Sequence, residues 1–245
     1  MKGKSWILLV AAFGFFISPA VQAQDRSPFL EKTFVKKLSC DLSLRHLIYL
    51  PKGYEDSPKK WPLLVYLHGG MGRGSDFEKL HWYPVPRMIL EKKYDPPFIV
   101  LIPQCLEGKL WSNMELIGVV ELLKNTIASY EVDTARVYAV GYSMGGNGVL
   151  ELAYYASEIF AAIAPMSGMS NTWWASKIKD IPSWFFHGAK DDRVPVRESD
   201  EMVDALKKEG ADVKYSRNDE RKHSPPTEEE HLELFEWLLK HTKKH

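Results

Sequence analysis

Short apolar runs rich in β-branched and aromatic residues recur along the chain: LRHLIYL at 44–50, PLLVYLH at 62–68, FIVLIP at 98–103, RVYAV at 136–140, FAAIAPM at 160–166 and PSWFFH at 182–187. Most are continuously hydrophobic, the pattern of strands buried on both faces. Helix-length stretches at 115–130, 145–156, 196–209 and 228–241 fall between and after them. This alternation predicts an α/β fold, a mostly parallel twisted sheet with helices on both faces.

The last helix has a readable start. Thr227 and Glu230 form a capping box, and Glu228 to Glu230 suit the positive end of the helix dipole. The preceding residues are therefore a loop, stiffened by Pro225 and Pro226. That loop follows a short strand, DVKYS at 212–216, and carries His223.

The first residues differ in kind. MKGK is basic, WILLVAAFGFFI is apolar, and VQA ends in small residues before Gln24, the sequence signature of a secretory signal peptide over residues 1–23. The apolar run is shorter than the roughly 18 residues of a spanning helix, so export to the periplasm or exterior is expected rather than membrane insertion. Cleavage leaves about 222 of the 245 residues, enough for one α/β domain over 24–245. Removing Lys2 and Lys4 from 32 basic residues leaves 30 against 32 acidic ones, so no strong field draws nucleic acid or an anionic membrane. The expected partner is a small or neutral molecule. Cys40 and Cys105 would meet an oxidising compartment, which permits one disulfide and equally permits two separately buried thiols.

Gly141-Tyr142-Ser143-Met144-Gly145 links the run RVYAV to the helical stretch GGNGVLELAYYA. A serine between two such glycines at a strand-to-helix turn fits a nucleophile elbow, with helix capping as the alternative role for Ser143. A serine hydroxyl needs a base, and the base an orienting acid, in the chain order serine, acid, histidine. Asp191 and Asp192 lie just past PSWFF, at the carboxyl edge of the sheet, and spacing does not choose between them. Of the histidines, His231 shares a helix face with Phe235 and Leu238, and His68 and His187 end strands just before a glycine. His223, in the loop 80 residues beyond Ser143, is the expected base. The glycine-rich LHGGMGRGSD follows the strand PLLVYL, and N–H groups near Gly70 and Met71, with that of Met144, are placed to hold an oxyanion. A phosphate loop is excluded because the Gly-Lys-Ser/Thr ending is missing.

With LPKGYE, WPLLVYLHGGMGRGSD, IPQCLEGKLW, VDTARVYAVGYSMGGNGVLELA, FAAIAPMSG and FFHGAKDDRVPV in view, the chain from about Leu47 onward resembles the α/β-hydrolase superfamily. Within it the similarity is to secreted esterase-like proteins: dienelactone-hydrolase-like and phospholipase/carboxylesterase-like chains, polyhydroxybutyrate depolymerase and feruloyl esterase relatives, and predicted peptidases. In that group the pattern His-Gly-x-x-Asp-x-x-Val-Pro carries the acid, which implies Asp191 rather than Asp192. The sequence departs from the group in NDERKHSPP, where relatives usually place glycine before the histidine. The resemblance implies two-step acyl transfer through Ser143, His223 and Asp191, with no metal or organic cofactor.

The stretch 169–181 is too short for a large lid domain, so an open cleft is expected. Trp111, Trp173 and Trp174 lie toward the carboxyl edge, where aromatics could stack on sugar or phenolic rings, although tryptophan serves more often in packing. The substrates expected are small-molecule or glycan-linked esters. Short peptides are the alternative within the same chemistry, and a non-catalytic carbohydrate-binding relative is the alternative outside it.

Overall fold

The computed structural model describes residues 41–243. The leader expected at residues 1–23 and Cys40 lie outside that range. Seven strands, β1 (His46–Tyr49), β2 (Trp61–Leu67), β3 (Ile99–Pro103), β4 (Val132–Tyr142), β5 (Ala162–Met166), β6 (Ser183–Gly188) and β7 (Val213–Asn218), form one open sheet in the order β1-β3-β2-β4-β5-β6-β7. Only β1 runs antiparallel, against β3; every other pairing is parallel.

Six α-helices accompany them: α1 (Pro84–Leu90), α2 (Asn113–Ser129), α3 (Met144–Tyr155), α4 (Ala175–Ile178), α5 (Arg197–Lys208) and α6 (Glu228–Leu238). Strand alternation assigns each face its core. On β2, Leu63, Val65 and Leu67 belong to one buried core with Leu116, Val119 and Leu123 of α2, Val149 and Leu152 of α3 and Val203 and Leu206 of α5. The intervening Leu64 and Tyr66 belong to a second core with Met88 of α1 and Leu234, Phe235 and Leu238 of α6. Both sets are buried, which is why the run is continuously apolar.

Helix α1 has no counterpart among the helix-length stretches of the sequence, and it carries Pro84 and Pro86 at its start. In the first turn a proline removes only N–H groups that have no intrahelical acceptor, so the helix tolerates them. Residues 167–182, between β5 and β6, hold only a 3-10 turn at Thr172–Trp174 and the short α4. No lid domain occupies that connection, and the carboxyl edge of the central strands stays open. The capping box at α6 is formed in both directions, with Thr227 Oγ1 accepting from the Glu230 N–H and Glu230 accepting from the Thr227 N–H.

Candidate active site

Between β4 and α3 the backbone turns at Ser143 with φ 58° and ψ −118°, a conformation that L-residues rarely adopt and that costs about 1–3 kcal/mol. The flanking glycines make the turn possible. A Cβ on Gly145 would lie 1.8 Å from the Leu67 carbonyl oxygen, and one on Gly141 would lie 2.4 Å from that of Gly145. The Ser143 N–H donates to the Met166 carbonyl at 2.7 Å, tying the elbow to β5. Ser143 thus sits at the helix start without a side-chain cap bond, and its hydroxyl faces a cleft of about 360 Å³.

His223 reaches the same cleft from the loop between β7 and α6. Its Nε2 lies 2.9 Å from Ser143 Oγ, and its Nδ1 lies 2.7 Å from Asp191 Oδ2. A carboxylate accepts only, so Nδ1 carries the proton and the Nε2 lone pair faces the serine hydroxyl. Burial opposes charge on Asp191, but the N–H groups of Val194 (2.8 Å) and Arg193 (2.9 Å) and the His223 ring outweigh it and hold the carboxyl below its ordinary range. Asp192 is exposed and joins none of these contacts.

His187 supports the acid rather than competing as a base. Its Nε2–H donates to the Val194 carbonyl at 3.0 Å and lies 3.4 Å from Asp191, while Nδ1 accepts from the Ser199 hydroxyl at 2.7 Å. Burial lowers its pKa, which keeps it neutral. The charged character of NDERKHSPP also has a structural origin. Lys190 pairs with Glu220, Arg221 pairs with Glu230, and Asn218 Oδ1 accepts from the N–H groups of Glu220 and Arg221. The loop crosses close to Gly188, where a Cβ would meet the Arg221 carbonyl oxygen at 2.2 Å.

The glycine turn after β2 is a 3-10 turn at Gly70–Gly72. His68 pins it from beneath. Its Nε2 accepts from the Cys105 N–H at 3.0 Å, so Nδ1 holds the proton and donates to the Gly69 carbonyl at 2.7 Å. Burial pushes the pKa of this ring down to about 4. Gln104 adds bonds to the carbonyls of Gly72 and Asp76. Gly70 and Met144 each open a helix, so neither N–H has an intrahelical acceptor.

The three tryptophans chosen from sequence do not line the cleft. Trp111 is fully buried; its indole N–H donates to the His68 carbonyl and its ring packs edge-on to His68, so it braces the floor of the site. Trp174 packs on Tyr154, and Trp173 stands 86% exposed, away from Ser143. The aromatic wall consists of Trp82, Tyr83 and Tyr142, and Arg73 and Arg193 also line the cleft. Trp82 and Tyr83 come from the proline-flanked segment before α1, whose irregular pattern hid its position. Tyr142 stood inside the elbow motif, which constrains its neighbours and not itself. Cys105 is buried and has no disulfide partner among the described residues. Among the described residues no group of acidic, histidine or cysteine side chains is set to hold a metal ion, and no helix is long and apolar enough to cross a membrane.

The model of the dienelactone hydrolase family matches residues 93–232, more than half of the chain. The chain belongs to the dienelactone hydrolase family. This family member is also 27% identical over 187 residues to a bifunctional acetylxylan esterase/xylanase of Neocallimastix patriciarum, covering 72% of its own length and 26% of the relative's. Among solved structures it resembles a thermostable esterase at 27% identity and TM-score 0.67, covering 82% of its own chain and 60% of the other. A ferulic acid esterase (19% identity, TM-score 0.60, 79% and 90% covered) and the acylaminoacyl peptidase of Pyrococcus horikoshii (16%, 0.65, 85% and 41%) share its α/β-hydrolase fold. The chain spans about a quarter of the curated relative and about three fifths of the thermostable esterase.

Proposed function

We propose that this family member is an exported serine esterase that hydrolyses carboxylic esters through an acyl-enzyme. One observation carries the reading: the continuous hydrogen-bonded line from Ser143 through His223 to Asp191, with the serine held in a strained turn at an open cleft. Ser143 Oγ attacks the ester carbonyl as its proton passes to His223 Nε2. Asp191 holds the ring in the accepting tautomer and stabilises the imidazolium that forms. The oxyanion accepts from the N–H groups of Met144 and Gly70, while that of Met71, read from sequence as a further donor, faces the Tyr83 oxygen instead. Collapse expels the alcohol, which takes the proton from His223; a water deprotonated by the same nitrogen then releases the acid and frees Ser143.

The substrate class proposed is acetyl, feruloyl or other short acyl esters, including those carried on polysaccharides. Its support is the acetylxylan esterase and the thermostable esterase among the relatives, together with an aromatic-walled cleft open to bulky alcohols. Residues 1–23 are proposed as the leader that directs export, and residues 24–245 as a single catalytic domain. The test is hydrolysis of p-nitrophenyl acetate and methyl ferulate by the purified protein. The reading predicts turnover of at least one ester that falls to background in Ser143→Ala; turnover unchanged in that variant contradicts it.

A further inference from the structure

Tyr83 lies at the junction between the 3-10 turn Phe77–Trp82 and α1, with extended backbone. This carries its side chain under the glycine turn. Only 1% of the residue is exposed, and its ring rests against Tyr66, His68, Trp82 and Tyr142. The phenol oxygen accepts from the Gly72 N–H at 3.1 Å. Burial pushes the phenol's pKa up to about 12, while the N–H groups of Gly72, Met71 and Gly69, which face the oxygen, pull the other way; the group stays protonated at neutral pH.

The hydroxyl lies in the same small space as the nucleophile. One point, the position of a Cβ built on Gly69, is 3.1 Å from Tyr83 Oη and 3.4 Å from Ser143 Cβ. Tyr83 lines the cleft beside Ser143 and His223. Its oxygen receives hydrogen bonding from the turn, and among the described residues its own proton has no acceptor. A hydroxyl that accepts from backbone N–H groups is polarised into a stronger donor. The Met71 N–H faces this oxygen as well, so part of the donor capacity of the turn reaches the cleft through the phenol.

We propose that Tyr83 is a catalytic residue whose hydroxyl donates a hydrogen bond to the oxyanion, beside the Met144 N–H. This rests on the serine mechanism above. When Ser143 Oγ bonds to the carbonyl carbon, the carbonyl π pair moves onto oxygen and the serine proton moves to His223. The phenol keeps its proton throughout and only points it at the new charge. On collapse the oxygen pair re-forms the carbonyl, the alcohol leaves with the proton from His223, and the phenol is unchanged.

Tyr83→Phe removes the hydroxyl and little else. Its kcat is expected to fall about 10- to 100-fold with KM within about twofold, the signature of an interaction made only in the transition state. Affinity for a boronic acid that forms a tetrahedral adduct on Ser143 should fall by a similar factor, while affinity for the product carboxylic acid should hold. A kcat/KM within about threefold of wild type overturns the proposal, as does an equal loss of affinity for both ligands, which would mark a role in shaping the turn alone. If Tyr83→Phe does not fold, 3,5-difluorotyrosine at position 83 decides. Its more acidic phenol should add an alkaline loss of activity that wild type lacks, and an unchanged pH profile overturns the proposal. Wild type labelled at Ser143 by a fluorophosphonate, with Tyr83→Phe labelled as fast, sinks this inference and leaves the serine reading intact; wild type left unlabelled sinks the serine reading.

Discussion

At the residue scale, the two neighbouring aspartates differ by the direction of their side chains, and their roles separate accordingly. Asp191→Asn would donate to His223 Nδ1 where the carboxylate accepts, leaving the proton on Nε2 facing the serine. The expected loss is about 10³- to 10⁴-fold in kcat, with Asp192→Asn within twofold of wild type. Steady-state rates on one ester substrate check both, and a larger loss in Asp192→Asn would reverse the assignment. The elbow glycines admit no side chain. Gly145→Ala places a methyl carbon 1.8 Å from the Leu67 carbonyl oxygen, and either the strand or the helix must move. A severe drop in soluble yield or melting temperature is expected, and a melting temperature within about 2 °C of wild type would mean the turn relaxes freely. Residue identity also marks the limit of the sequence. The elbow around Ser143 was legible from local spacing alone, whereas spacing left Asp191 and Asp192 open until the family pattern chose between them, and His223 was read from its place in the loop after the last strand. Trp111 and Tyr83 were not legible, because whether an aromatic faces the core or the cleft depends on the neighbouring loop's path, which no local spacing records.

At the element scale, strands and long helices were legible to within a few residues because burial on two faces imposes a continuous apolar run and caps mark the helix ends. Helix α1 was not legible, and β4 extends back to Val132, beyond its apolar run, because Trp61 and Val132 pair across a register shift. The final helix shows how an element sets the site. Its capping box fixes where the His223 loop ends, and Glu230 also pairs with Arg221, two residues from the base. Thr227→Ala should cost about 1 kcal/mol of stability through the lost cap. Urea unfolding measures it, and no change in the midpoint would mean that the Arg221 pair alone holds the helix start.

At the scale of the whole molecule, three buried histidines with lowered pKa values, His68, His187 and His231, tie stability to pH. Burial holds His68 and His231 near a pKa of about 4, against the ordinary value of about 6.5. Arg73 faces His68; Arg221 faces His231 along with Glu228 and Glu230. Because the folded protein binds these protons less readily than the unfolded chain, both contributions are full above about pH 6.5 and are lost as pH falls toward 4. Each of these two contributes up to about 1.4 kcal/mol per pH unit across that window. Urea midpoints at pH 7 and pH 5 should therefore differ measurably, and equal midpoints would mean that one or both rings are protonated in the folded state. The charge balance of the chain was legible from composition alone, whereas the gathering of Arg73 and Arg193 at one cleft required the fold.

The central claim is that Ser143 is an activated nucleophile, and the most direct measurement is covalent. The purified protein is treated with a fluorophosphonate probe and the adduct located by peptide mass spectrometry, alongside Ser143→Ala and His223→Ala. A single adduct on Ser143 is expected, absent from Ser143→Ala and formed far more slowly in His223→Ala. A folded protein that takes up no probe, or takes it up as fast without His223, would contradict it.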